Sequence, residues 1–88
     1  MLTPAVGFKI YKSAYGRAYR LYENTKFYGK RIKSTFQETV TDCVKKCMET
    51  AQCKYFRYEK RPHRCKTMNE TSFTDAQPNN KYISAILL

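Results

Sequence analysis

Apolar residues between Val40 and Ala51 recur at helical spacing. At about 100° per residue, Val40, Val44, Cys47 and Ala51 fall within one narrow arc, with Cys43 and Met48 at its margins. Asp42, Lys45, Lys46 and Glu49 fall on the opposite side, so this stretch predicts an amphipathic helix with both its cysteines turned toward a core. Thr39 has the chemistry of an N-cap. Asp42, three residues on, completes a capping-box pattern and complements the positive end of the helix dipole.

Elsewhere the pattern is that of strands. Tyr19 to Tyr22 and Phe27 to Lys33 flank Glu23-Asn24-Thr25-Lys26, which reads as a turn, and the second segment sets Arg31 and Lys33 on one face against Ile32 on the other. Lys54-Tyr55-Phe56-Arg57-Tyr58-Glu59 is aromatic-rich, with Phe56 and Tyr58 sharing a face. Lys60-Arg61-Pro62-His63-Arg64 then reads as a basic turn, because Pro62 has no N–H to give a ladder. A short strand about Cys65 and another from Tyr82 to Leu87 complete an expected antiparallel sheet, with residues 69–80 as an irregular loop between them.

A chain of 88 residues has room for one domain and one modest core. A domain of this size buries only about 60 to 65% of the surface its unfolded chain exposes, so additional cross-links have much to contribute. Eight tyrosines and five phenylalanines, with only three glycines and three prolines, fit an ordered domain and not a basic disordered tail. Met1-Leu2-Thr3-Pro4-Ala5-Val6-Gly7 lacks the basic start and long apolar run of a secretory signal, and the chain reads as a domain excised from a longer protein. Ile83-Ser84-Ala85-Ile86-Leu87-Leu88 is far shorter than a membrane span, so no such span is expected.

Charge is lopsided. Seventeen Lys and Arg stand against seven Asp and Glu, a formal net charge of +10. Such a field draws polyanions, whether nucleic acid, acidic membrane or sulfated glycan, without choosing among them.

The four cysteines admit three uses. Cys43, Cys47, Cys53, Cys65 and His63 supply enough sulfur and nitrogen for zinc, but structural zinc sites present pairs about two to four residues apart at both ends. Here Cys53 and Cys65 stand twelve apart. A nucleophilic thiol needs a base. His63, the one histidine, sits in an Arg-rich turn without an evident orienting partner and reads as a solvated turn residue. The acids are scattered rather than paired, so neither catalysis, a metal nor a cofactor is expected. An even cysteine count in a chain this short also fits a disulfide framework.

The run Cys43-x3-Cys47-x5-Cys53-x2-Phe56-x-Tyr58, followed by Cys65, resembles the core of the PAN/apple domain family. Thr39-Val40-Thr41-Asp42 resembles that family's helix start, and Lys26-Phe27-Tyr28-Gly29-Lys30 its preceding hairpin. The resemblance covers most of residues 15–88, leaving 1–14 as an N-terminal extension or first strand. It implies an α+β fold of one helix packed on a twisted antiparallel sheet of about five strands. It also implies an extracellular setting and the pairings Cys43 with Cys65 and Cys47 with Cys53. In the chain-entropy picture the longer loop contributes about 3 kcal/mol and the shorter about 2. The chain departs from the family at Thr67, where an aliphatic residue is usual, so Met68 or a shifted register is expected to fill that space. It also lacks the third bridge that joins the ends of apple domains proper, which leaves the termini expected to fray.

With the cysteines structural, function falls to the surface. The basic residues form two groups, Lys26, Lys30, Arg31, Lys33, Lys45 and Lys46 about the helix, and Arg57, Lys60, Arg61, Arg64 and Lys66 about the turn. Some PAN domains bind heparin-like chains through the strand before the helix and the helix itself. Arg31, Lys33 and Lys46 match that charge, while Glu49 opposes it and Thr35 and Phe36 are neutral. The resulting expectation is a secreted or surface module, or part of a larger surface protein, that binds acidic glycans without specific nucleic-acid recognition. Two alternatives accompany it: a cell-surface protein partner contacted through Tyr11, Tyr15, Tyr19, Tyr22, Tyr28 and Tyr55, or a lectin-like sugar site. Asn69-Glu70-Thr71 is an N-glycosylation sequon, which places Asn69 on a secreted surface loop in this reading.

Overall fold

Thr39 caps the helix as its chemistry requires: its Oγ1 accepts from the Asp42 N–H at 3.1 Å. From that cap α1 runs Val40–Glu49 and buries Cys43, Val44 and Cys47. It stops two residues short of Ala51, which is exposed. The cause is Thr50, whose hydroxyl donates to the Lys46 carbonyl at 2.6 Å while its backbone turns extended. Gln52, at φ +66°, then returns the chain so that Cys53 meets Cys47.

The computed structural model describes residues 8–12, 16–71 and 76–88, with Lys30, Glu70 and Thr71 described in their backbone alone. Six strands accompany α1, one more than expected: β1 Lys9–Lys12, β2 Ala18–Lys26, β3 Gly29–Phe36, β4 Tyr55–Glu59, β5 Arg64–Thr71 and β6 Gln77–Leu87. They form one antiparallel sheet in the order β1-β2-β6-β4-β5-β3. Part of the span expected as a loop is strand, because β5 continues to Thr71 and β6 begins at Gln77. Asn69 therefore lies on β5 and not on a loop.

β4 is central and alternates as a half-buried strand should. Phe56 and Tyr58 point to the helix, with Tyr55, Arg57 and Glu59 on the far face. The helix-side core joins Val44, Cys43 and Cys47 to Tyr19, Phe56, Tyr58, Cys65, Ala85 and Leu87. Two disulfides rivet this layer, Cys43–Cys65 from α1 to β5 and Cys47–Cys53 from α1 to the lead of β4, with Cα separations of 5.5 and 5.3 Å. Both are the pairings that the family resemblance implies. Thr67 itself occupies the position expected to need Met68: it is 1% exposed, and its hydroxyl donates to the Lys33 carbonyl at 3.3 Å. Met68 turns to the other face, into a second core with Phe27 and Ala76.

Glu23-Asn24-Thr25-Lys26 is not a hairpin turn. Those residues belong to β2, and the register shift against β6 between Glu23 and Thr25 falls at Asn24, whose φ of +53° suits a bulge. Three strands separate β2 from β3, and residues 27–28 carry the chain between them over the face away from the helix. Ser84 at the centre of β6 holds this strap by donating to the Thr25 carbonyl at 2.8 Å and accepting from the Phe27 N–H at 3.1 Å. Arg57 on β4 holds the next group, with Nη1 donating to the Phe27 carbonyl at 3.0 Å. The first and last long strands are joined without a third disulfide, as the Leu88 N–H donates to the Ala18 carbonyl and Arg17 Nε to the Leu88 carbonyl.

Candidate functional site: a basic sheet face

Register decides which cations meet. Arg57 on β4 lies directly opposite Lys66 on β5, and Glu59 lies opposite Arg64 two residues on, all on the face away from the helix. Ser34 on β3 pairs with Lys66 and Arg31 with Met68, which brings Arg31 to the same face. Like charges directly across a ladder repel. The Lys66 ammonium is accordingly held below its ordinary range, first by burial and then by Arg57 and Arg64, with Arg31 adding to the effect and Glu59 partly opposing it.

A tyrosine pair extends this face. The Lys26 ammonium lies 4.9 Å from the Tyr28 ring centre and 4.8 Å from that of Tyr82. The Arg57 guanidinium carbon lies 5.9 and 5.6 Å from the same two rings. Two cations thus share two aromatic faces, beside a buried Arg57 Nε that has no hydrogen-bond partner. Further along, the Arg64 guanidinium carbon lies 5.4 Å from the ring of Phe36, which is 67% exposed.

The basic residues expected to act together divide between two faces. A second register shift, at Ile32, sets Arg31 opposite Met68 and Lys33 opposite Thr67. Successive positions of β5 face opposite ways, so Arg31 and Lys33 do too, contrary to the simple alternation read from the sequence. Lys33 goes to the helix-bearing side, where α1 carries exposed Lys45 and half-buried Lys46. Lys60 and Arg61 lie on the β4–β5 turn. The side chain of Lys30 is outside the described residues.

His63 is a latch rather than a free turn residue. Its carbonyl accepts from the Gln37 N–H at 2.9 Å, and the Tyr58 hydroxyl donates to the Gln37 carbonyl at 2.8 Å. With that single proton committed, Tyr58 Oη at 2.8 Å from His63 Nδ1 must accept, which fixes the proton on Nδ1. The basic turn is thereby tied to the entry of α1. Burial raises the Tyr58 phenol above its ordinary value, with Asp42 and Glu38 adding to the effect. Of the tyrosines singled out as contact residues, Tyr11 is exposed, Tyr19 is buried, Tyr22, Tyr28 and Tyr55 are half-buried, and Tyr15 lies outside the described residues. The Asn69 carboxamide oxygen is buried without a hydrogen-bond partner.

All four sulfurs are consumed in the two bridges, so none is available as a thiolate ligand or nucleophile. No described helix is long and apolar enough to cross a membrane. The family model for the PAN domain matches residues 16–86, and with the helix, sheet and both bridges in place the chain belongs to the PAN domain family. PAN domains are typically non-enzymatic modules that bind proteins or carbohydrates. No curated protein matches the chain in sequence.

Proposed function

We propose that this domain is an extracellular, non-enzymatic module that captures acidic glycans of the heparin type, as part of a secreted or surface protein. The observation that supports it is the Arg57–Lys66 pair with Arg31 and Arg64 beside it, a like-charged cluster that Glu59 partly opposes. Crowded cations cost stability in the free protein, and a bound sulfate or carboxylate relieves that cost. Arginine forks and lysine ammoniums suit such groups, and release of the polyanion's counterions drives association. The disulfides fit an oxidising setting outside the cytosol.

Arg31→Ala, Arg64→Ala and Lys66→Ala combined, which spares the strap-holding Arg57, tests this against Lys33→Ala, Lys45→Ala and Lys46→Ala combined. On heparin the first triple is expected to lose at least about tenfold in affinity, about 1.4 kcal/mol, and about three units of salt slope. The second triple is expected to lose less. Heparin should also raise the Lys66 ammonium pKa toward its ordinary value, followed by NMR at its side-chain carbon. Elution of the first triple at unchanged salt would sink the reading. Exposed Phe8, Ile10 and Tyr11 on and beside edge strand β1 favour a second reading, a protein partner, whose binding would survive high salt.

A further inference from the structure

Beyond the row of Glu59 and Arg64, the β4–β5 turn and the first half of β6 enclose a cleft of about 460 Å³, lined by Glu59, Lys60, Arg61, Asn80 and Lys81. Its volume falls within the range of about 300 to 1,000 Å³ usual for small-ligand sites. Three cations against one carboxylate leave it net positive, so an anionic group is favoured. The lining is not simply basic, however. Glu59 can only accept hydrogen bonds, and Asn80 can both donate and accept. A sulfate, made only of acceptor oxygens, would meet repulsion at Glu59. A ring bearing one carboxylate and several hydroxyls satisfies both halves of the lining.

The walls are held before any ligand arrives. The Lys60 N–H donates to the Lys81 carbonyl at 2.9 Å, tying turn to strand, and Lys60 Nζ donates to Asn24 Oδ1 at 2.9 Å. The Lys81 N–H donates to Asn79 Oδ1 at 3.0 Å. The latch of His63 on Tyr58 and Gln37 fixes the far side of the same turn. Pre-set walls reduce the ordering cost of binding. Glu59 faces Arg64 across the ladder, so the cleft is continuous with the basic sheet face.

We propose that this cleft is a saccharide subsite for a uronic-acid ring, in which Arg61 and Lys81 hold the carboxylate while Glu59 and Asn80 take the ring hydroxyls. It rests on the glycan-binding reading above and adds the sugar it selects. Methyl glucuronide, methyl glucoside and sodium sulfate, titrated separately and followed by backbone amide NMR, are the probes. Glucuronide is expected to move the amides of Lys60, Arg61, Asn80 and Lys81 with a dissociation constant on the order of 1 to 10 mM, and the other two to move them several-fold less. Glu59→Ala should weaken glucuronide about threefold or more while strengthening sulfate, a reversal of sign that a plain basic patch does not give. Should Glu59→Ala lose amide dispersion, Asn80→Ala decides, weakening glucuronide and leaving sulfate unchanged. Sulfate matching glucuronide in the unmodified protein, Glu59→Ala strengthening both, or Asn80→Ala weakening neither overturns the subsite. The sheet-face triple leaves these five residues in place, so loss of heparin retention and loss of glucuronide binding are separately readable.

Discussion

Replacing Ser84 by alanine deletes one hydroxyl and two hydrogen bonds, both spent on holding the strap across the sheet. Ser84 is 0% exposed, so water does not readily take the place of the lost oxygen. Depriving a buried N–H of its partner costs about 1 to 3 kcal/mol, and the bond to the Thr25 carbonyl adds about 1. The expected loss is therefore about 2 to 4 kcal/mol, a large part of the stability of a small domain. In a domain of this size that lowers Tm by roughly 10 to 20 °C. Urea unfolding measures the change, with exposed Ser34 on the same face, changed to alanine, as the control expected within about 0.5 kcal/mol of wild type. Amide exchange at Phe27 should accelerate more than exchange in β4, because the strap opens before the sheet does. An unchanged urea midpoint with undiminished Phe27 protection would refute the assignment of Ser84 as the strap's clamp.

Two more outcomes follow from the bridges and the tyrosines. Removing the Cys43–Cys65 bridge, with a separation of 22 residues, should cost about 3 kcal/mol, and removing Cys47–Cys53, with a separation of 6, about 2, read by urea unfolding of the paired alanine variants. Equal costs would show that packing about the sulfurs outweighs loop length. Tyr58 and Tyr19 both hold their protons above the ordinary tyrosine value, chiefly through burial. Their raised values contribute stability that is fully present below about pH 10 and is lost as pH rises through the folded values. Tyr58→Phe should lower stability at neutral pH by about 1 kcal/mol through the lost bond to Gln37, and should flatten the alkaline decline. An alkaline decline as steep as that of wild type would show that Tyr58 does not contribute to it.

The helix was legible because its signals are local. A threonine cap, an acid in the first turn and apolar residues at 3.6 spacing act within one segment, and the tertiary contacts agree with them. The disulfide pairing came from the resemblance of the cysteine run to a family, since four cysteines by themselves allow three connectivities. The basic sheet face was only half legible. Arg31, Arg57 and Arg64 were singled out with Lys33, Lys45 and Lys46, but which of them meet depends on cross-strand register. Nothing local marks Lys81, Asn80 and Tyr82, for each reads as an ordinary residue of a strand or its approach until β6 is laid beside β4.

Composition and local pattern thus determined a small, strongly basic domain with its helix at Val40 and strands on either side, and the resemblance of its cysteine run to a family supplied the bridges and the α+β architecture. The tertiary structure decided the rest. The strand order, which sets β6, β4 and β5 between β2 and β3, turned an apparent hairpin into a strap over the sheet, and a single-residue shift at Ile32 sent Arg31 and Lys33 to opposite faces. A strand's side chains alternate with a period of two, so one inserted residue reverses every facing beyond it, and nothing in the local sequence fixes where that residue will be accommodated.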